Sequence, residues 1–258
     1  MVRSEPYPKL SKPVFVPAID THVVVATLDQ EQGKREIEQA VRGSVLRPFD
    51  IARASIEEPR PLWVPFWRVA LTVDGFHFGL SQLKVGVEDR TVPVPTGGAR
   101  SKEAVVMVCA RTLFPYEPKL PSFLTRAGGT PPLEVAKEEI GALADTISLN
   151  DHGAEVIESD VDRGSAEAIA SGMRVRDVRP TNALYARYEP KIESATFVLY
   201  PVYFARYDYE GEARRHAGER LFVAVSGKNG KVISATYPSA VRAVAAKVRR
   251  LLSFDRRL

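Results

Sequence analysis

Cysteine is almost missing from this sequence, and its one thiol, Cys109, excludes an intramolecular disulfide framework and a zinc site built from several thiolates. No apolar run reaches the roughly eighteen residues of a membrane-spanning helix, and residues 1–13 lack the apolar core of a signal peptide. We therefore expect a cytoplasmic protein with no integral membrane segment. Asn, Gln and Met are also scarce, a bias that is typical of thermophiles and that a GC-rich genome produces as well.

The motifs that usually support catalysis are missing too. The segment SGKNGK, 226–231, is not a GxxxxGK[ST] phosphate loop, and its position between two β-rich runs predicts a turn. There is no GxSxG nucleophile motif, and the four histidines show no metal-ligand spacing (His22, His77, His152 and His216). We expect no enzymatic activity, no metal and no cofactor; an enzyme with a closed small-molecule pocket is the least favoured alternative.

Positive charge is concentrated at one end of the chain. The whole chain has a net charge of +4, and 241–258 contain six basic residues against one acidic residue: Arg242, Lys247, Arg249, Arg250, Arg256 and Arg257. Apolar residues recur there at helical spacing, which predicts a basic amphipathic helix over 239–258. Such a helix packs on its own sheet, docks on a partner protein, lies on an anionic membrane or contacts nucleic acid, and the sequence leaves these alternatives open.

The segment WVPFW, 63–67, contains both tryptophans of the chain, and its frame returns at 199–203 as LYPVY. The corresponding residues are Trp63, Pro65 and Trp67 in the first segment and Pro201 and Tyr203 in the second. A strand that packs against a helix must keep such a frame, whereas a stacking platform need not. The recurrence therefore favours core packing of these aromatic residues over ligand stacking.

The correspondence extends without a gap over 62–75 and 198–211, each preceded by a helical segment and a short strand, which indicates an internal duplication. We predict an α+β fold of two duplicated units, each an antiparallel sheet packed by a helix, with a helical connector and a C-terminal basic amphipathic helix. The predicted segments are an extended N-terminal arm at 1–13, a first α+β unit at 14–130, a helical connector at 131–173, a second β-rich repeat unit at 174–238 and the basic helix at 239–258.

Short-range signals refine this prediction. Asp29 is an N-cap for a helix that Gly43 ends. Asp74-Gly75 and Asn229-Gly230 are each flanked by β-rich runs, and both pairs predict hairpin turns. Residues 91–102, which are rich in proline and glycine, predict a loop.

Several segments, including VATLDQEQGKREIEQAV, LWVPFW, FVLYPVYFARYDYEGE and LFVAVSGKNGKVISATYPSA, resemble a family of uncharacterised prokaryotic zinc-ribbon-containing proteins. That family is often labelled primosomal protein N-prime or replication factor Y-like. This sequence has neither the CxxC ribbons nor the transmembrane segments of the family. Some of those proteins look like adaptors beside membrane-associated scaffold proteins, so the resemblance implies an adaptor role.

Together these observations predict a non-catalytic scaffold or adaptor. Its partner would be another protein or a membrane-associated assembly, bound through the basic C-terminal helix, either in the cytoplasm or at the membrane surface. The alternative is a nucleic-acid-associated factor, for which the sequence offers no motif.

Overall fold

The computed structural model describes residues 21–43, 51–52, 54–85, 90–118, 120–125, 133, 135–142, 154–211 and 221–239. The predicted N-terminal arm and all six basic residues of the predicted C-terminal helix (Arg242, Lys247, Arg249, Arg250, Arg256 and Arg257) lie outside these ranges. Within them, no helix is long and apolar enough to cross a membrane.

The described elements follow in this order: β1 His22–Val24, α1 Gln30–Arg42, β2 Ser55–Ile56, β3 Arg60–Val85, β4 Arg90–Cys109, α2 Leu120–Leu124, a 3₁₀ turn Lys137–Glu139, β5 Ile140–Ala142, β6 Glu155–Val156, α3 Arg163–Val178, β7 Ala183–Asp208, β8 Leu221–Ser226 and β9 Val232–Ala235. Strands make up 51% of the described residues and helices 22%. The nine strands belong to one sheet, and the strand order β4-β3-β7-β1-β5 includes the three longest of them, β3, β4 and β7.

The predicted fold class is therefore wrong. The chain is mostly β and forms one sheet rather than two duplicated α+β units with their own helices. The reason lies in β3 and β7, which are 26 residues long each. Residues that we expected to form separate short strands and turns continue in one extended conformation, because neighbouring strands supply backbone hydrogen-bond partners along their length.

The predicted helical connector at 131–173 is also wrong over most of its described part. A 3₁₀ turn leads into β5, which pairs antiparallel with β1 through Val23 opposite Gly141. β6 pairs parallel with the start of β3. Only α3, which begins at Arg163, is helical as expected. Pairing with a distant strand outweighs a helical apolar pattern, since helix propensity is a weak preference that tertiary contacts override.

Two local predictions, the turn at Asp74-Gly75 and the loop at 91–102, are wrong because both segments belong to long strands. Asp74-Gly75 lies inside β3 rather than in a turn, and a side chain at Gly75 would collide with the carbonyl oxygen of Arg187 on β7. This glycine permits the close approach of a neighbouring strand. Residues 91–102 are part of β4, at the end of the strand order, where prolines are tolerated because an edge strand leaves some N–H positions unpaired.

Other local predictions are confirmed. Asp29 and Gln32 form a capping box at the start of α1, and Gly43 is its C-cap. Asn229-Gly230 lies between β8 and β9, which pair antiparallel, and Gly230 has a φ of 70°. Each of these features depends on residues only a few positions apart.

The chain divides into two compact units. One consists of Met1–Thr21, Pro65–Thr130 and Glu158–Val198, and the other of His22–Val64, Pro131–Ile157 and Leu199–Leu258. In the first unit, α3 packs against β4. In the second, α1 packs against β8, and its core contains Ile37 and Val41 with Tyr203, Tyr207 and Val223.

Candidate functional site

The five residues of the recurring frame lie in β3 and β7, and all are buried. Trp63 and Trp67 are 6% and 4% exposed, and Tyr203 is 8% exposed. Pro65 and Pro201 are buried beside them. Although the three aromatic side chains are all buried, they differ in the hydrogen bonds that their polar atoms make.

Trp67 and Tyr203, which correspond in the frame, each hold the start of a helix. In the first unit, Trp67 Nε1 donates to the carbonyl oxygen of Val161 at 2.9 Å, directly before Asp162, the N-cap of α3. In the second unit, the Tyr203 hydroxyl donates to the carbonyl oxygen of Leu28 at 3.0 Å, directly before Asp29. Both side chains therefore have a structural role, because each fixes the backbone directly before a helix N-cap.

Trp63 has no such role. Its Nε1 is buried and has no hydrogen-bond partner among the described residues. Buried donors are paired in most native structures, so an unpaired one calls for a physical explanation. The corresponding residue in the second segment is Leu199, which has no polar side-chain atom to satisfy.

Trp63 lines a cavity of about 480 Å³ in the second unit. The walls come from the segment before α1 with the first residue of that helix, the start of β3, the residue before β6 and β7: Ala26, Thr27, Leu28, Asp29, Gln30, Pro61, Leu62, Trp63, Ala154, Pro201, Val202 and Tyr203. These described lining residues include one carboxylate and no Lys, Arg or His. The cavity was missed at the sequence level because its walls are far apart along the chain.

A polar cluster lies elsewhere in the second unit. The Tyr200 hydroxyl and Ser226 Oγ are 2.7 Å apart, and both residues are fully buried. Lys228 Nζ contacts Glu139 Oε2 at 2.6 Å. Burial raises the pKa of Tyr200, and the hydrogen bond from Lys228 lowers the pKa of Glu139. Tyr200 is therefore a neutral, inaccessible phenol at neutral pH, and Glu139 is an ionised partner of a lysine.

The remaining candidates for chemistry have structural environments. Burial raises the pKa of the Cys109 thiol to about 12, so it is not a thiolate nucleophile at neutral pH. His77 Nδ1 lies 3.2 Å from the Tyr188 hydroxyl. No cluster of three or more metal-ligating side chains occurs in the part of the chain that the structure describes, and His152 and His216 lie outside it.

One surface of the first unit exposes large apolar side chains, which we call the aromatic face: Phe76, Phe78, Leu80 and Tyr185. The three β3 residues alternate along the strand, so they share one side of the sheet, and they are 49%, 49% and 41% exposed. Tyr185 on β7 is 54% exposed, and its ring centroid lies 5.6 Å from that of Phe76. The alternation of apolar residues in FHFGL, 76–80, indicates such a surface in the sequence. We did not predict it, because we expected a turn at Asp74-Gly75.

The comparisons with known proteins add no assignment. No family model, curated protein or solved structure matches this chain.

Proposed function

We propose that this protein is a non-catalytic scaffold or adaptor that binds another protein through the aromatic face. The observation that supports the proposal is the exposure of four large apolar side chains on one side of a sheet. Soluble proteins seldom expose contiguous apolar patches of this kind unless they bind something there. Aromatic residues are also enriched among the residues that dominate binding energy at protein interfaces.

The neighbours of these side chains leave them uncovered. Directly opposite Phe76, Phe78 and Leu80, the paired strand β4 carries Ala99, Gly97 and Pro95. These small or uncharged residues let the two phenyl rings project from the sheet. A partner surface that is apolar at its centre fits this side of β3 and β4 best.

A charged pair borders the aromatic face. Arg187 and Glu189 follow Tyr185 at strand spacing, their charged atoms are 2.7 Å apart, and both side chains are about two-thirds exposed. Alternation along β7 places them on the same side as Tyr185. An apolar centre with a polar rim is typical of protein–protein interfaces. The basic helix predicted at 239–258 would be a second contact with the same partner or with a membrane-associated scaffold.

The test uses tagged full-length protein from its native host and two double variants on opposite sides of the same strands. Phe76→Ser with Phe78→Ser alters the aromatic face. Leu83→Ser with Val92→Ser is the control, because these two exposed residues are paired across β3 and β4 on the other side. A recovered partner is then purified and titrated against each variant by calorimetry.

We expect the first variant to weaken binding at least about tenfold, since aromatic residues at interface centres contribute about 2 kcal/mol or more, and the control to change it little. A 1–238 truncation tests the basic helix separately. Equal binding by both double variants and the unaltered protein would refute the proposal.

A second candidate is binding of single-stranded nucleic acid. Exposed aromatic side chains on adjacent strands of an antiparallel sheet can stack bases. Fluorescence anisotropy with a labelled oligouridine distinguishes this function. Binding that weakens steeply with added salt and depends on Phe76 and Phe78 would favour it over a protein partner.

A further inference from the structure

The strand β4 has an open edge at residues 97–105. In the described part of the chain β4 pairs only with β3, and it stands at the end of the strand order. We infer that this open edge binds an extended segment of a partner protein, which adds to the sheet as one further strand and carries acidic residues opposite Arg100 and Lys102. The inference rests on the proposed function, because the added strand would lie beside the aromatic face and belong to the same partner.

The backbone groups of β4 alternate in direction. Directly opposite residues of an antiparallel pair alternate between pairs that exchange hydrogen bonds and pairs that do not. The amide of Ala110 donates to the carbonyl oxygen of Pro65 at 2.8 Å, and the register continues unbroken along both strands. Even-numbered residues of β4 therefore direct their amides at β3, and odd-numbered residues direct theirs away from it. The amide of Cys109 agrees with this alternation, since it donates to Thr125 Oγ1 at 3.3 Å.

The outward positions differ along the strand. Pro93 and Pro95 have no amide hydrogen, so their part of the edge cannot donate to another strand. Five outward residues that have an amide hydrogen follow: Gly97, Ala99, Ser101, Glu103 and Val105. All five are exposed, and their backbone groups have no hydrogen-bond partner among the residues that the structure describes. Extended peptides add as strands to sheet edges with such free backbone groups.

The side chains on the two sides of the open edge determine the chemistry of the partner. On one side, Gly97 and Ala99 leave space beside the phenyl rings of the aromatic face, which favours apolar side chains there. On the other side, Arg100 and Lys102 are exposed, and neither forms an ion pair within the described residues. Opposite charges on directly facing residues stabilise an antiparallel pair. A partner segment therefore fits when it places apolar residues opposite the first two positions and acidic residues opposite the second two.

The same charges disfavour a second copy of this chain. If two copies of β4 paired around a two-fold axis at residue 100 or 102, Arg100 or Lys102 would face its own counterpart. An axis at residue 101 would place Arg100 opposite Lys102. Like charges directly opposite each other destabilise antiparallel pairs, so the open edge favours a different chain.

The experiment measures backbone amide exchange by NMR on the purified full-length protein. In the free protein, the amides at 99, 101 and 103 should exchange fast and those at 98, 100 and 102 slowly, because only the latter bond to β3. The probe is the capped peptide VTKETEVTV, which in antiparallel register places glutamates opposite 100 and 102 and a lysine opposite 103. The control peptide VTEKTKVTV reverses these charges.

We expect VTKETEVTV to slow exchange at the outward amides saturably and to leave exchange at the inward amides as it is. The control peptide should bind about tenfold more weakly, since it replaces attractive charge pairs by repulsive ones.

Protein variants test the backbone and the charges separately. Ala99→Pro deletes one outward amide in a strand that already contains proline at two outward positions, and it should weaken binding of VTKETEVTV about tenfold. Ala99→Ser keeps the amide and should change the affinity little. The double variant Arg100→Glu with Lys102→Glu should reverse the preference, so that VTEKTKVTV binds more tightly. A reversed preference requires a folded protein, so loss of structure cannot produce it.

Four results would overturn the inference. Three of them are equal affinities for the two peptides, no slowing of the outward amides at millimolar peptide, and stronger protection by an oligouridine, which would indicate a nucleic-acid site. The fourth is slow exchange at the outward amides before any peptide is added, which would show that the edge is already covered, by a second copy if protection grows with protein concentration. None of these results depends on Phe76 or Phe78, so failure of the aromatic face appears separately in the calorimetry of the native partner.

Discussion

Replacement of tryptophan by phenylalanine should affect the stability of the protein differently at the two tryptophans of β3. Trp63→Phe and Trp67→Phe delete the same atoms from side chains that are 6% and 4% exposed. The loss of buried apolar surface is therefore similar in both variants and largely cancels when they are compared. The remaining difference between their free energies of unfolding therefore measures the contribution of the indole nitrogen.

At Trp67 the substitution removes a hydrogen bond of 2.9 Å and leaves the carbonyl oxygen of buried Val161 without this donor. A hydrogen bond contributes about 0.5–1.5 kcal/mol net, and a buried group left unsatisfied costs about 1–3 kcal/mol. At Trp63 no hydrogen bond within the described chain is lost, and an unpaired donor is removed. We expect Trp67→Phe to be less stable than Trp63→Phe by about 1–3 kcal/mol.

Urea denaturation followed by far-UV circular dichroism measures this difference with a probe that does not depend on either indole. The midpoints are compared at a common slope, since both variants should expose the same surface on unfolding. Equal midpoints, or a lower midpoint for Trp63→Phe, would refute the assignment of the two indoles.

Three further predictions use the same physical reasoning. Tyr203→Phe removes only the hydroxyl that donates to the Leu28 carbonyl, so the free energy of unfolding should fall by about 0.5–1.5 kcal/mol; no change in urea denaturation would count against this bond. The Ser165 amide donates to the Asp162 carboxylate and lowers its pKa in the folded state. That stabilisation is therefore present above the unfolded pKa of about 3.9 and is lost as the pH falls through the folded pKa. Asp162→Asn should flatten the dependence of stability on pH in this acidic range, and an unaltered profile would contradict the assignment. Cys109, whose pKa is raised to about 12 by burial, should resist a thiol reagent near about pH 8 in the native protein and react once urea unfolds it; rapid reaction of the native protein would show that the thiol is accessible.

Sequence reasoning succeeded where the determining contacts are local. The start of α1 depends on Asp29 and Gln32, three residues apart, and the turn between β8 and β9 depends on the conformational freedom of Gly230. It failed where distant segments compete with local preference. Residues 140–142 fit a helical apolar pattern, yet they form β5 because β1 supplies the pairing partner.

The aromatic face likewise depends partly on local sequence and partly on strand pairing. Alternation along FHFGL places Phe76, Phe78 and Leu80 on one side of a strand, but their exposure depends on what stands opposite. Ala99, Gly97 and Pro95 occupy those positions only because β3 and β4 pair in one register. A shift of one residue would place other side chains on that side.

The sequence by itself determined that residues 63–67 extend as a strand and that Trp63 and Trp67 follow one alternation. It could not determine which indole donates a hydrogen bond within the fold and which tryptophan lines a cavity. Trp67 finds its acceptor at Val161, 94 residues further along the chain, and the walls around Trp63 come from four separate segments. A hydrogen bond needs a donor and an acceptor within about 3 Å, and only the tertiary structure brings such distant atoms together.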